Sequence, residues 1–312
     1  MSLSADDHVY GYSGGVFVLA YGREARIVRS GQTSEPVAVE APIQWLEVSP
    51  DGRSVLMYAD RGTRIWRWRD GLGVEQFLEA SNSRDILGCG FFALNGSIVT
   101  LVSKDRTLRG LAPEGRELFA CNLRSPHSFI PRSFSQLPGN RLALTGFFFS
   151  DPYDVAITVS LDELSRTSEA VQHAIAAQAP VRDRAVHIAV GPCHPAAAVV
   201  LRDPGDTEVR GEDDDDEDRG DVENFTGVYI RDLDSGALIE RHPYAGSAVS
   251  GSSIAATEDW IAVQVVGGVD MIPRGTGAVR NIPNAILDVW GLQIATVEGE
   301  QLASVAPIDS VV

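Results

Sequence analysis

Apolar positions along this chain come in strand-length bursts, and no long stretch carries the 3.6-residue spacing of an amphipathic helix. Residues 16–21 (V-F-V-L-A-Y) are followed, after a short polar turn, by a second alternating strand over 25–28. The same couplet recurs at 54–58 with 63–68, at 97–102 with 106–111, and at 141–148 with 155–159. It appears again at 196–201 with 227–230, at 260–265 with 269–272, and at 292–297 with 301–305, which makes seven copies. β-branched and aromatic residues are common in these runs, as strands require. One weak helix candidate, 161–177, reads equally well as an outer strand plus loop.

Each couplet is flanked by two weaker strands. The leading one ends in turn formers, as in Ser49-Pro50-Asp51-Gly52, Asn95-Gly96 and Pro138-Gly139-Asn140. Proline presets φ at such turns, while glycine and asparagine tolerate positive φ. The trailing strand is short and mixed, at 75–78, 117–120 and 237–240, which suits a half-solvated edge. Four short antiparallel strands per repeat of about 40–45 residues predict propeller blades. The expected fold is therefore all-β: one seven-bladed β-propeller of four-stranded antiparallel blades over residues 1–312, with an acidic insertion at 203–224 in blade five. The outer strand of blade seven is expected from 308–312, from 1–7, or is missing.

Residues 60–68 (D-R-G-T-R-I-W-R-W), 104–111 and 228–238 (V-Y-I-R-D-L-D-S-G-A-L), together with the Ser49-Pro50-Asp51-Gly52 turn, resemble WD40 repeats. The resemblance is carried by blades two, three and five and by pattern elsewhere. The chain has no Gly-His and no Trp-Asp dipeptide, so the structural Asp–His–Ser/Thr–Trp network of that family is not transferable to it. The resemblance implies a propeller whose loop-bearing face binds other proteins.

Charge narrows the partners. The net charge is −17, and residues 203–223 hold twelve of the 43 acidic side chains against only Arg210 and Arg219. An acidic chain does not suit nucleic acid, whose binding rests on basic residues neutralising phosphates. No apolar run is long enough to span a bilayer, and residues 1–7 lack the basic and apolar parts of a secretory signal. Cys89, Cys121 and Cys193 form no metal-type spacing and read as free thiols in a reducing cytoplasm. Lys104 is the only lysine among 26 basic residues, which reads as the coding bias of a GC-rich bacterial genome.

Catalytic motifs are missing: no GxSxG elbow, HExxH, P-loop or EF-hand loop, and no motif for a cofactor. The six histidines are scattered without metal spacing, so no metal ligand and no catalytic residue is assigned. Strand parity offers a better lead. In a four-stranded antiparallel blade the second turn and the crossing to the next blade share one face. The insertion 203–224, the aromatic turn 146–154 (G-F-F-F-S-D-P-Y-D), the crossing 123–134 and the segment 174–185 are all expected on that face, over blades three to five. Arg124, His127, Phe129, Arg132, Phe149 and Tyr153 are the candidate partner-binding residues there. Arginine and aromatic side chains supply most interface hot spots. The run Glu212, Asp213, Asp214, Asp215, Asp216, Glu217 and Asp218 reads as a solvated, self-repelling loop, as bait for a basic partner segment, or as a loose Ca²⁺ site. The expected function is a non-catalytic protein- or peptide-binding scaffold. The alternative is a metal-dependent hydrolase or lactonase with its site at the central channel, an expectation from fold alone.

Overall fold

A computed structural model describes residues 2–5, 8–29, 32–33, 36–59, 64–79, 87–91, 98–102, 107–111, 116–122, 129–137, 141–148, 154–160, 181–183, 187–190, 197–202, 227–246, 254–288 and 292–311. The described residues are almost entirely β, in seven antiparallel sheets that follow one another along the chain. The first sheet holds β1 (Ser2–Ala5), β2 (His8–Ser13), β3 (Val16–Tyr21) and β4 (Glu24–Arg29), with the short β5 (Gln32–Thr33) and β6 (Val37–Ala38) both on β4. The second is β7 (Ile43–Val48), β8 (Ser54–Ala59), β9 (Arg64–Arg69) and β10 (Gly73–Glu79). The third is β11 (Leu87–Phe91), β12 (Ile98–Val102), β13 (Thr107–Leu111) and β14 (Glu117–Asn122). The fourth is β15 (Phe129–Leu137), β16 (Arg141–Phe148), β17 (Asp154–Ser160) and β18 (Val181–Asp183). The fifth is β19 (His187–Val190), β20 (Ala197–Arg202), β21 (Gly227–Asp232) and β22 (Leu238–Pro243). The sixth is β23 (Ile254–Ala256), β24 (Trp260–Val265), β25 (Gly268–Pro273) and β26 (Arg280–Pro283). The seventh is β27 (Ala285–Asp288), β28 (Gln293–Glu298) and β29 (Gln301–Pro307), followed by a 3₁₀ turn at Ile308–Ser310.

All seven couplets read from the hydrophobic pattern are paired neighbours in these sheets. The first and second, fifth and sixth, sixth and seventh, and seventh and first sheets stack face to face, so both faces of their strands are covered. Ile65 and Arg67 lie on the opposite side of β9 from Trp66, yet all three are buried. One apolar cluster fills the gap between the first two sheets, joining Val9, Val18 and Ile27 to Leu46, Met57 and Trp66, with Trp68 packed on its margin. Another joins the first sheet to the last, through Tyr10, Tyr12, Phe17 and Leu19 against Ile286, Ala295 and Val297. Neighbouring sheets also touch through these strands: β2 meets both β7 and β27, and β15 meets both β11 and β19.

Two expectations are corrected. The segment 174–185 does not simply cross between sheets: Val181–Asp183 pairs with Asp154–Ala156 as the fourth strand of the fourth sheet. A strand of three residues with no apolar alternation leaves no periodic signal. Second, 123–134 is not all crossing, because the first strand of the fourth sheet already begins at Phe129. Among the described residues the seventh sheet has three strands, which is the last of the three alternatives expected for it. Ser2–Ala5 pairs with Gly11 to His8 along the free edge of β2, and residues 308–310 form the 3₁₀ turn. The helix candidate 161–177 lies outside the described residues.

Candidate functional site

The fourth sheet organises the candidate face. β15 and β16 pair with Phe129 opposite Phe148, and β16 and β17 pair with Phe147 opposite Asp154. Phe129 therefore starts its strand at the same end of the sheet from which the 149–153 connection leaves. Arg132 occupies an irregular position: Pro131 pairs with Gly146 and Ser133 with Thr145, so Arg132 is the extra residue of a β-bulge. Bulges re-aim a side chain and recur beside functional sites. In the fifth sheet the long connection from β20 to β21 leaves at the equivalent end, where Arg202 pairs with Gly227. Arg124, His127, Phe149, Tyr153 and Glu212 to Asp218 lie outside the described residues. The fourth segment is interrupted by Val181–Asp183, which pairs with β17, and its other residues lie outside the described ones.

Buried polar groups that the sequence reading did not single out lie between and within the sheets. Gln264 is fully buried in β24. Its Nε2 donates to Gly268 O at 2.7 Å and to Ala285 O at 2.9 Å, and its Oε1 accepts Leu287 N–H at 2.8 Å. The amide thus behaves as a peptide unit and satisfies two main-chain groups of β27 in the adjoining sheet. At the end of β27, Asp288 accepts Ser13 Oγ of the first sheet at 3.0 Å, and Tyr12 Oη donates to Gln293 Oε1 at 3.3 Å. Burial, then the Asp288 charge, raises the Tyr12 phenol above its usual range.

Between the fifth and sixth sheets, Arg274 donates through Nε to Glu240 Oε2 at 2.9 Å, through Nη2 to Glu240 Oε1, and through Nη1 to Thr257 O. His242 Nε2 lies 2.9 Å from Glu240 Oε2. The Arg274 hydrogen bond holds the Glu240 carboxyl down to about 2. Burial, then the hydrogen bond that Tyr244 Oη donates to Asp270 Oδ2 at 2.8 Å, raises the Tyr244 phenol. In the second sheet, burial pushes the Glu47 carboxyl up to about 6, partly offset by the Tyr58 hydroxyl at 3.4 Å. Tyr58 stacks on Trp45 with ring centroids 4.7 Å apart. Arg67 is 2% exposed, lies over the Phe77 ring at 4.3 Å and donates through Nε and Nη2 to Glu75 Oε1.

Among the described residues no three His, Cys, Asp or Glu side chains converge as a metal set, and no helix is long and apolar enough to cross a membrane. No model of a known protein family matches the chain, and no curated protein matches it. Solved structures do match in shape. Hydrazine synthase from Kuenenia stuttgartiensis is similar over 85% of this chain and 76% of its own, with a TM-score of 0.54 and 11% identity. The Cps50 (Swd1) β-propeller domain from Myceliophteria thermophila is similar over 81% of this chain and 78% of its own, with a TM-score of 0.50 and 12% identity. At such identities the likeness speaks for fold alone. The chain has the β-propeller fold.

Proposed function

We propose that the chain is a non-catalytic scaffold: one domain over 1–312, a closed ring of seven blades, that binds a protein or peptide across blades three to five. The register of the fourth sheet carries this reading. It supports a shared end for Phe129, the 149–153 connection and the crossing 123–128, with Arg132 set off by its bulge. Arg124, His127, Phe129, Arg132, Phe149 and Tyr153 are the contact residues, and Glu212 to Asp218 speed the approach of a basic partner segment. The protein acts in a bacterial cytoplasm, where its three cysteines stay thiols. The propeller likeness to Swd1 is compatible with such a role. No described group favours the channel hydrolase.

The test begins with a pull-down from the native organism, read by mass spectrometry, to obtain the partner. Replacing Arg132 and Tyr153 together by alanine is then expected to weaken its binding at least tenfold, about 1.4 kcal/mol, with an unchanged melting temperature. Wild-type binding is expected to weaken as salt rises. Equal affinity of variant and wild type would move the interface elsewhere.

A further inference from the structure

The seventh sheet ends on a third strand where five of the other sheets carry four. In β28, Val297 N–H donates to Asn284 O, so the odd-numbered residues of that strand turn their main-chain groups toward β27. Ile308 N–H donates to Leu292 O, which places the even-numbered residues toward β29. Val305 pairs with Ala295 and Leu302 with Val297, both odd, across a bulge at Ala303. In an antiparallel pair, residues opposite such positions point their own N–H and C=O away from the partner strand. Leu302 and Val305 therefore present main-chain donors and acceptors on the outer edge of the sheet. The strand Gln301–Pro307 (Q-L-A-S-V-A-P) carries no charge, and Val305 is exposed. Acids stand at both ends: Glu298 and Glu300 before the strand, with Glu300 shared with Arg26 at 3.7 Å, and Asp309 after it, bonded to Thr257 Oγ1.

We propose that this edge takes up an extended peptide with basic residues at its ends as a fourth strand. Strand addition draws affinity from main-chain hydrogen bonds and specificity from alternate side chains and flanking charge. Charge decides against a second copy of the chain. Antiparallel pairing of Leu302 with Val305 of another copy would bring the Glu300 turn of each copy toward the Asp309 end of the other. A basic-ended peptide instead meets acids at each end. The surface lies on the rim of the seventh sheet, away from the face of sheets three to five, and does not depend on that reading.

The probe is a short synthetic peptide of alternating Val and Thr with Arg at each end, added to the full chain. It is expected to slow amide exchange at Leu302 and Val305. Val305→Pro removes an outward N–H that makes no bond to β28, so it is expected to lower peptide affinity at least tenfold. Val305→Thr keeps the N–H and is expected to bind as wild type. A peptide with Gln in place of Arg is expected to bind more weakly, and the difference is expected to shrink as salt rises. Absent protection at Leu302 and Val305, equal affinity for V305P, or equal binding of the Gln peptide would each overturn the proposal. So would a wild-type dimer in sedimentation that V305P turns into monomer, because the occupant would then be a second copy. None of these outcomes bears on Arg132 and Tyr153, whose double variant tests the other surface separately.

Discussion

The junction of the first and second sheets and that of the sixth and seventh meet the same need with different chemistry. The first is filled by large apolar side chains, Ile27, Leu46, Met57 and Trp66 among them. Its loops also interlock: at positive φ, Gly14 lies so close to the second sheet that a Cβ would collide with Gly52 N and Pro50 O. The sixth–seventh junction sets three alanines, Ala255, Ala262 and Ala285, among Met271, Leu287 and Ile294. Within the sixth sheet, Gln264 stitches one sheet to the backbone of the next. Bulk resists removal through cavity cost, whereas a buried amide resists through the groups it would leave unpaired. The propeller thus combines shape at one junction with hydrogen bonding at another.

The largest effect separating the two is expected at Trp66. Trp66→Ala should cost about 3–5 kcal/mol in denaturant unfolding, through lost burial and an unfilled cavity. An unchanged midpoint would mean that the indole does not fill the first–second junction. Gln264→Leu keeps volume but strands Ala285 O and Leu287 N–H, and should cost about 3 kcal/mol. If that variant is as stable as wild type, the amide is not the tie between the sixth and seventh sheets.

Two smaller effects separate the junctions by pH. The Glu47 carboxyl, ordinarily near 4.5, is raised to about 6 by burial. Its contribution is complete below the ordinary value and is lost as pH climbs through about 6. Glu47→Gln should therefore be more stable than wild type by about 1–2 kcal/mol at pH 8, with no difference at pH 4. Glu240 behaves oppositely, because Arg274 holds it down to about 2. Its contribution is present above its ordinary value and is lost as pH falls toward 2. Glu240→Gln should flatten the acid limb of the stability profile below pH 5 by about 1 kcal/mol, discounted for partial exposure. Parallel acid limbs for variant and wild type would show that the ion pair adds nothing to the fifth–sixth junction.

The alternating couplets were legible because a period of two and glycine, proline or asparagine turns are local signals. The pairing of β3 with β4 and of β8 with β9 followed from them directly. Val181–Asp183 was not legible, being three residues with one apolar side chain. Ser2–Ala5 was visible as a possible strand, but nothing local to S-L-S-A says which edge it joins. Gln264 did leave a trace, as the one polar residue in W-I-A-V-Q-V, a strand otherwise apolar along its length. Glu240 and Arg274 lie 34 residues apart, and a pairing at that range has no local signature. At the candidate face, strand parity located the connections from β16 to β17 and from β20 to β21, while the bulge at Arg132 is a matter of register that composition does not encode.

A propeller of this kind holds only where its last sheet meets its first. Here the seventh sheet meets the first through Ser13 and Asp288, Tyr12 and Gln293, and the apolar cluster around Tyr10 and Ile286. A crystal structure of the full chain measures this directly. The expected result is seven sheets around one axis, Ser13 Oγ within hydrogen-bonding distance of Asp288, and Ser2–Ala5 along the free edge of the second strand. A last sheet detached from the first, or residues 2–5 paired with Gln301–Pro307 as an outer strand, would contradict it.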